Sequence, residues 1–242
     1  MARVMVPFAN GKGGVGKTAL ACSYAAARAH EGADVILFDT NEEQRTAMAW
    51  SEVRDFNNLL PKIRVQPGSV QQALEMRGRC DVLVVDTPGW TDRGTLLLAK
   101  KATFMVIPTG PNPTYDLQPT VRLLHGLRQE GIETWRLGVV FSRFSADETI
   151  CAEELQVARK YLQDAHYRAL DGCIRNVSAY SAALAVGYGL TETQGLAKLR
   201  DEASHLMDVI TKGMSSAVKR DDRDRGSPER GKEKDIERGG RE

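Results

Sequence analysis

Asn10-Gly11-Lys12-Gly13-Gly14-Val15-Gly16-Lys17-Thr18 decides how the rest of the chain is read. Gly11 through Thr18 satisfies the pattern G-x-x-x-x-G-K-[ST] at every position. The stretch follows a short apolar run, Val4–Phe8, and opens an alanine-rich helical stretch, Thr18–His30. That is the strand–loop–helix context this chemistry requires. Glycines let successive backbone N–H groups turn inward around phosphate oxygens. The helix that begins there adds the positive end of its dipole. Lys17 is placed to reach β- and γ-phosphates, and the Thr18 hydroxyl to bind Mg²⁺. The backbone from Gly11 to Ala19, with Val15 inside it, is therefore the expected nucleotide-phosphate cradle.

Outward from the loop, short apolar runs alternate with helical stretches. Val35–Asp39 (VILFD), Val82–Asp86 (VLVVD), Thr103–Ile107 and Leu137–Phe141 read as strands, and Ile63–Val65 as a weaker one. Glu42–Arg54, Val70–Arg77, Leu117–Gln129, Ile150–Asp164 and Gln194–Met214 read as helices. Continuously apolar strands between helices predict an α/β fold, a mostly parallel sheet with helices on both faces. Such sheets bind ligands at the carboxyl ends of their strands. Two of these ends carry aspartate. Asp86 is followed by Thr87-Pro88-Gly89, and a carboxylate facing the loop there can hold Mg²⁺ or one of its waters.

Composition narrows the class. The 242 residues include 33 Lys+Arg against 32 Asp+Glu, a formal net charge of +1, and 42% are hydrophobic. A strongly basic nucleic-acid protein is excluded, although a local basic patch is compatible with these totals. No apolar run approaches the roughly 18 residues of a membrane helix. The start, MARVMVPFAN, lacks the apolar core of a secretory signal, which predicts the cytoplasm. Cys22, Cys80, Cys151 and Cys173 are scattered, so neither a disulfide framework nor a zinc or iron–sulfur site is expected. From Lys219 to Glu242 there are nine Lys+Arg and eight Asp+Glu, with Ile236 the only large apolar residue. Such a segment cannot bury enough surface to offset its ordering entropy. The expectation is one folded unit, residues 1–218, followed by a disordered mixed-charge tail, 219–242.

The second lysine, Lys12 in K-G-G-V-G-K-T, resembles the deviant phosphate loop of the ParA/MinD ATPases, closest to the short plasmid-partition ParA proteins. The resemblance implies a P-loop NTPase fold and an ATP- and Mg²⁺-dependent ATPase. In that family the extra lysine crosses a nucleotide-sandwich homodimer to the partner's phosphates. Asp86-Thr87-Pro88-Gly89 resembles the family's Walker B and switch II region, with Gly89 sensing the γ-phosphate. Asp39-Thr40-Asn41 resembles its D-x-D motif but carries Asn41 where the second, water-orienting Asp belongs. The implied site residues are Lys12, Lys17, Asp39, Asn41 and Asp86 for catalysis, and Thr18, Asp39 and Asp86 for the metal. Arg143, in Phe141-Ser142-Arg143, stands where the family contacts adenine. The segment from Pro108 through Leu117 is similar to a proline-rich dimer segment. Gly187-Tyr188-Gly189-Leu190-Thr191-Glu192 is similar to the family's closing stretch. The likeness runs from Arg3 to about Met214, without the amino-terminal helix-turn-helix of the larger members.

The resemblance further implies a nucleoid-associated partition ATPase that binds nonspecific DNA as a dimer and answers to a small DNA-binding adaptor. It places DNA-binding cations in the carboxyl-terminal third, where Arg168, Arg175, Lys198, Arg200, Lys212, Lys219 and Arg220 are the candidates. A positioning ATPase for conjugation machinery or another cargo shares every motif above. A MinD-like membrane-surface ATPase would end in an amphipathic helix, and the charged carboxyl terminus speaks against membrane attachment. A nitrogenase-iron-protein-like electron-transfer role lacks a suitable cysteine pair.

Overall fold

A computed structural model of the chain describes residues 3–89 and 93–226. Its strands are β1 (Val4–Phe8), β2 (Val35–Asp39), β3 (Arg64–Pro67), β4 (Val82–Asp86), β5 (Met105–Thr109), β6 (Leu137–Phe144) and β7 (Ala169–Arg175). The helices are α1 (Lys17–His30), α2 (Thr46–Phe56), α3 (Val70–Glu75), α4 (Arg93–Lys101), α5 (Gln118–Gln129), α6 (Glu148–Asp164), α7 (Ser178–Ala185) and α8 (Ala197–Gly226). The strands form one seven-stranded parallel sheet in the order β3-β2-β4-β1-β5-β6-β7. Val6 and Phe8 of β1 belong to a core shared with residues of α1, α2, α7 and α8, while Met5 belongs to a second core with residues of α3, α4, α5 and α6. With both faces covered, every residue of β1, β2, β4 and β5 is buried, hence their unbroken apolar runs.

Three elements escape periodicity. Strand β7 is an edge strand interrupted by Asp171 and by Gly172, whose φ is 84°. Its partner register to β6 shifts twice. Helix α7, SAYSAALA, is almost uniformly small and apolar, so no stripe stands out. Helix α4 has a short amphipathic pattern flanked by residues outside the described set. The first turn expected of α2 is replaced by a loop. Arg45, with φ 47°, donates its N–H to Asn41 O at 2.9 Å, and the helix proper starts at Thr46.

The expected break at Lys219 falls inside α8, which continues to Gly226. Lys and Arg are good helix formers. Arg220 also lies over the Trp135 ring at 5.9 Å, extending the seam begun by Ala217 and Val218. Residues 227–242 of the expected tail lie outside the described residues. Cys151 and Cys173, far apart in the sequence, bring their Sγ atoms to 3.8 Å as free thiols. No helix among the described residues is long and apolar enough to cross a membrane.

Candidate functional site

The loop after β1 is anchored by a buried side chain that its motif leaves out. Asn10 is 2% exposed. Its Nδ2 donates to Pro108 O at 2.7 Å and Thr120 Oγ1 at 2.8 Å, and its Oδ1 accepts from Lys12 N at 2.9 Å. The loop therefore leaves β1 at an angle fixed by β5 and α5. Gly16 ends the loop with φ 86°, and a Cβ there would also fall 2.6 Å from Ser142 Oγ. Helix α1 starts with no side-chain cap and no acid in its first turn. Its first N–H groups and its positive dipole end are thus left for an anion.

Lys17 is buried, and its Nζ donates to Lys12 O at 2.9 Å. Burial lowers its pKa, and the Asp86 charge partly restores it. The Lys12 side chain is exposed, and among the described residues its ammonium has no hydrogen bond or ion pair. From the far side Gly89 closes over the loop: a Cβ on it would lie 3.1 Å from Gly13 Cα and 3.7 Å from Lys17 Nζ. So close an approach favours a glycine, because a side chain there would press the loop back by a few tenths of an ångström.

Asp39 and Asp86 end adjacent strands and are register partners. Asp86 is 1% exposed. Its Oδ2 accepts from Thr18 Oγ1 at 2.7 Å, whereas its Oδ1 is buried without a hydrogen-bond partner. Burial pushes the Asp86 carboxyl up to about 7, with the Asp39 charge adding to the rise and the Thr18 hydrogen bond and Lys17 opposing it. An orphaned, buried carboxylate oxygen beside a threonine hydroxyl is the donor set a hard divalent cation takes. Among the described residues no cluster of three or more His, Cys, Asp or Glu can hold a metal alone. Nucleotide oxygens would have to complete such a shell, as they do for Mg²⁺.

Asp39 is fully buried but differently employed. Its Oδ1 accepts Asn41 N at 3.0 Å, and its Oδ2 accepts Ala47 N at 3.0 Å and Met48 N at 3.2 Å. It caps α2 from outside the helix, in place of the open metal ligand expected from the motif. Asn41 is likewise absorbed by its loop, donating from Nδ2 to Gln44 Oε1 at 3.1 Å and accepting Gln44 N at 3.2 Å.

The cavity at this end of the sheet has a volume of about 860 Å³. Gly13, Gly14, Gly16, Lys17, Thr18 and Ala19 form one wall. Opposite stands an apolar wall that the sequence reading missed: Ala49, Trp50 and Val53 of α2, with Leu184 and Ala185 of α7. These residues are more than a hundred positions apart in the chain, so no local pattern joins them. Trp50 Nε1 donates to Tyr188 O at 3.1 Å. The buried Arg54 guanidinium makes two hydrogen bonds to Glu192, at 2.8 and 2.9 Å, and one to Gly187 O. This pair fastens α2 to the closing stretch. Arg143, with φ 64°, borders the cavity and donates from Nη1 to Gly14 O.

The candidate cations separate. Arg175 has an 11% exposed side chain, tied to Glu202 at 2.6 Å, and so has little to offer a phosphate. Lys198 pairs with Glu148. Arg200, Lys212 and Lys219 are exposed along α8, and Arg168 and Arg220 face a common recess.

A glycine-rich loop feeding an open helix start, with a buried Asp bonded to the first-turn Thr beneath it, defines a nucleotide-binding α/β protein of the P-loop class. More narrowly, the chain belongs to the CobQ/CobB/MinD/ParA nucleotide-binding domain family, whose pattern matches residues 6–187. No curated protein sequence matches it. Among solved structures, apo McdA of Cyanothece is similar at TM-score 0.65 and 16% identity, covering 87% of this chain and 99% of its own. The septum site-determining protein MinD of Pyrococcus horikoshii, complexed with Mg-ADP, has TM-score 0.64 and 14% identity, covering 88% and 96%. A plasmid partition protein of Borrelia burgdorferi bound to AMPPNP has TM-score 0.63 and 14% identity, covering 88% and 98%. At such identity the likeness is one of fold.

Proposed function

We propose that this chain is a slow Mg²⁺-dependent ATPase of the DNA-partition type. Its ATP form pairs two copies, binds DNA without sequence preference at the nucleoid, and is released by a small DNA-binding adaptor. The observation that carries the reading is the unpartnered Asp86 Oδ1 beside Thr18, beneath a loop whose two lysines occupy different environments. Buried Lys17 exchanges the Lys12 carbonyl for phosphate oxygens of its own nucleotide. Exposed Lys12 is free to meet the phosphates held by a second copy, where added positive charge lowers the barrier to phosphoryl transfer. Thr18 and Asp86 hold Mg²⁺, which would neutralise charge on the phosphates. The apolar wall of Trp50, Val53 and Leu184 suits the flat face of a nucleobase, with Arg143 at its edge. No carboxylate stands at position 41 to orient water, and the Asn41 amide is engaged by Gln44. Basal turnover is therefore slow, as a timer that stays on DNA until cargo arrives would need. DNA is met by exposed cations of α8, Arg200, Lys212 and Lys219 among them. What supports DNA as the cargo is this row of exposed cations, on a fold shared with a plasmid partition protein.

Sedimentation velocity with Mg-ATP or Mg-ADP, with and without unrelated duplex DNA, tests the reading. Dimers and co-sedimentation are expected with ATP alone, and salt should weaken DNA binding with a slope of about −0.9 per neutralised phosphate. Equal retention with ADP overturns it.

A further inference from the structure

At the end of the sheet opposite the phosphate loop, the amino ends of β5, β6 and β7 open into a second cavity of about 440 Å³. Phe104, Leu137 and Leu170, at or beside the strand starts, give it an apolar floor, and the face of α8 around Ser216 forms a wall. Arg168 and Arg220 stand at its rim, both exposed, with Arg220 over the half-buried Trp135 ring. None of the lining residues is acidic. Among the described residues neither arginine has an ion pair, whereas Arg159 pairs with Asp171 and Arg175 with Glu202.

An apolar recess with an uncompensated cationic rim fits a ligand that is bulky and apolar at its centre and anionic at its edges. Duplex DNA offers the charge but nothing to fill a hydrophobic floor, and phosphate contacts need no concave apolar site. A peptide supplies both. Tryptophan and arginine at the edge of a small pocket are also the side chains that concentrate binding energy in protein interfaces. We propose that this groove docks a short segment of a partner protein, one that places a bulky apolar side chain in the recess with flanking Asp or Glu on Arg168 and Arg220. The groove lies away from the nucleotide cavity, so the proposal stands independently of the ATPase reading.

Fluorescence anisotropy tests it, using the full chain and a short fluorescein-labelled peptide with Phe-Leu between two Asp-Glu pairs. Saturable binding is expected. It should weaken about tenfold or more when Phe-Leu becomes Ala-Ala or the acids become lysines. The doubly substituted Arg168→Glu, Arg220→Glu protein should lose it, and so should Ser216→Trp, which fills the recess with both arginines kept. All these positions are exposed, and unchanged circular-dichroism melting checks that the variants fold. Lys17→Ala, which disables the phosphate site, should bind the peptide as the parent does. Absence of saturable binding, or equal binding by the groove variants, overturns the proposal. So does a result in which those variants lose duplex DNA retention or self-association while the peptide never binds.

Discussion

Two aspartates end neighbouring strands behind near-identical apolar runs, sit opposite each other in the register, and do different things. Asp39 spends both oxygens on backbone N–H groups of the chain that follows it. Asp86 gives one oxygen to Thr18 and leaves the other buried without a partner. The lesson is that a carboxylate's role lies in its unspent lone pairs, because a buried acceptor left unsatisfied costs about 1–3 kcal/mol and persists only where something else uses it. Asp39 holds the fold, whereas Asp86 keeps one buried oxygen unspent, the one assigned above to the proposed cation.

The hardest test of that contrast removes each in turn. Asp86→Ala should lower Mg-ATP turnover by about 10²–10³-fold, the scale seen when one transition-state electrostatic contact is lost. Metal-free melting should hold or rise, since a strained buried acid is gone. Asp39→Ala should do the reverse: three backbone donors lose their acceptor, at about 1 kcal/mol each. At roughly 2–4 °C per kcal/mol, the melting temperature should fall by about 6–12 °C. Turnover per folded molecule should suffer far less than in Asp86→Ala. Matching losses of stability in the two variants would dissolve the distinction.

pH sharpens it next. The Asp86 carboxyl titrates near 7 in the fold, against about 4 in an unfolded chain. The fold thus favours its protonated form. That contribution is full below pH 4 and is lost as pH rises through 7. Without metal, the melting temperature of the parent minus that of Asp86→Asn should decline between pH 5.5 and 8.5. With Mg-ATP the difference should grow instead, because the cation binds the ionised carboxylate. A pH-independent difference in both conditions counts against the orphan oxygen as the ligand.

The smallest effect belongs to Asn41. With its amide bonded to Gln44, Asn41→Ala should cost about 0.5–1 kcal/mol of stability, as lost caps do, and leave turnover per folded molecule within about twofold. A several-fold drop in turnover would return Asn41 to the catalytic group.

The phosphate loop and the strands around it were legible because motif, turn and helix start are contiguous in the chain. The difference between Asp39 and Asp86 was not. Both read as a strand-end aspartate, and what separates them is which N–H groups fold back from residues 41–48. The apolar wall is hidden for a related reason: Trp50 and Leu184 line one cavity because long-range bonds, Arg54 to Glu192 and Trp50 to Tyr188 among them, fasten α2 to the stretch after α7. Composition likewise could not tell that Arg175 pairs with Glu202 while Arg168 has no ion pair among the described residues. The start of the mixed-charge run, 219–226, reads as tail because charge balance says nothing about whether a helix already under way will stop.

The strand order bears on how the protein is made. β1 is translated first yet sits at the centre of the sheet, between β4 and β5. The residues that anchor its loop, Pro108 and Thr120, come later still. A chain emerging from the ribosome amino end first must therefore carry its phosphate loop unsupported until β5 and the start of α5 have been synthesised. Until then the nascent chain has the motif without the cradle, and ATP in the surrounding solution gains no purchase on it.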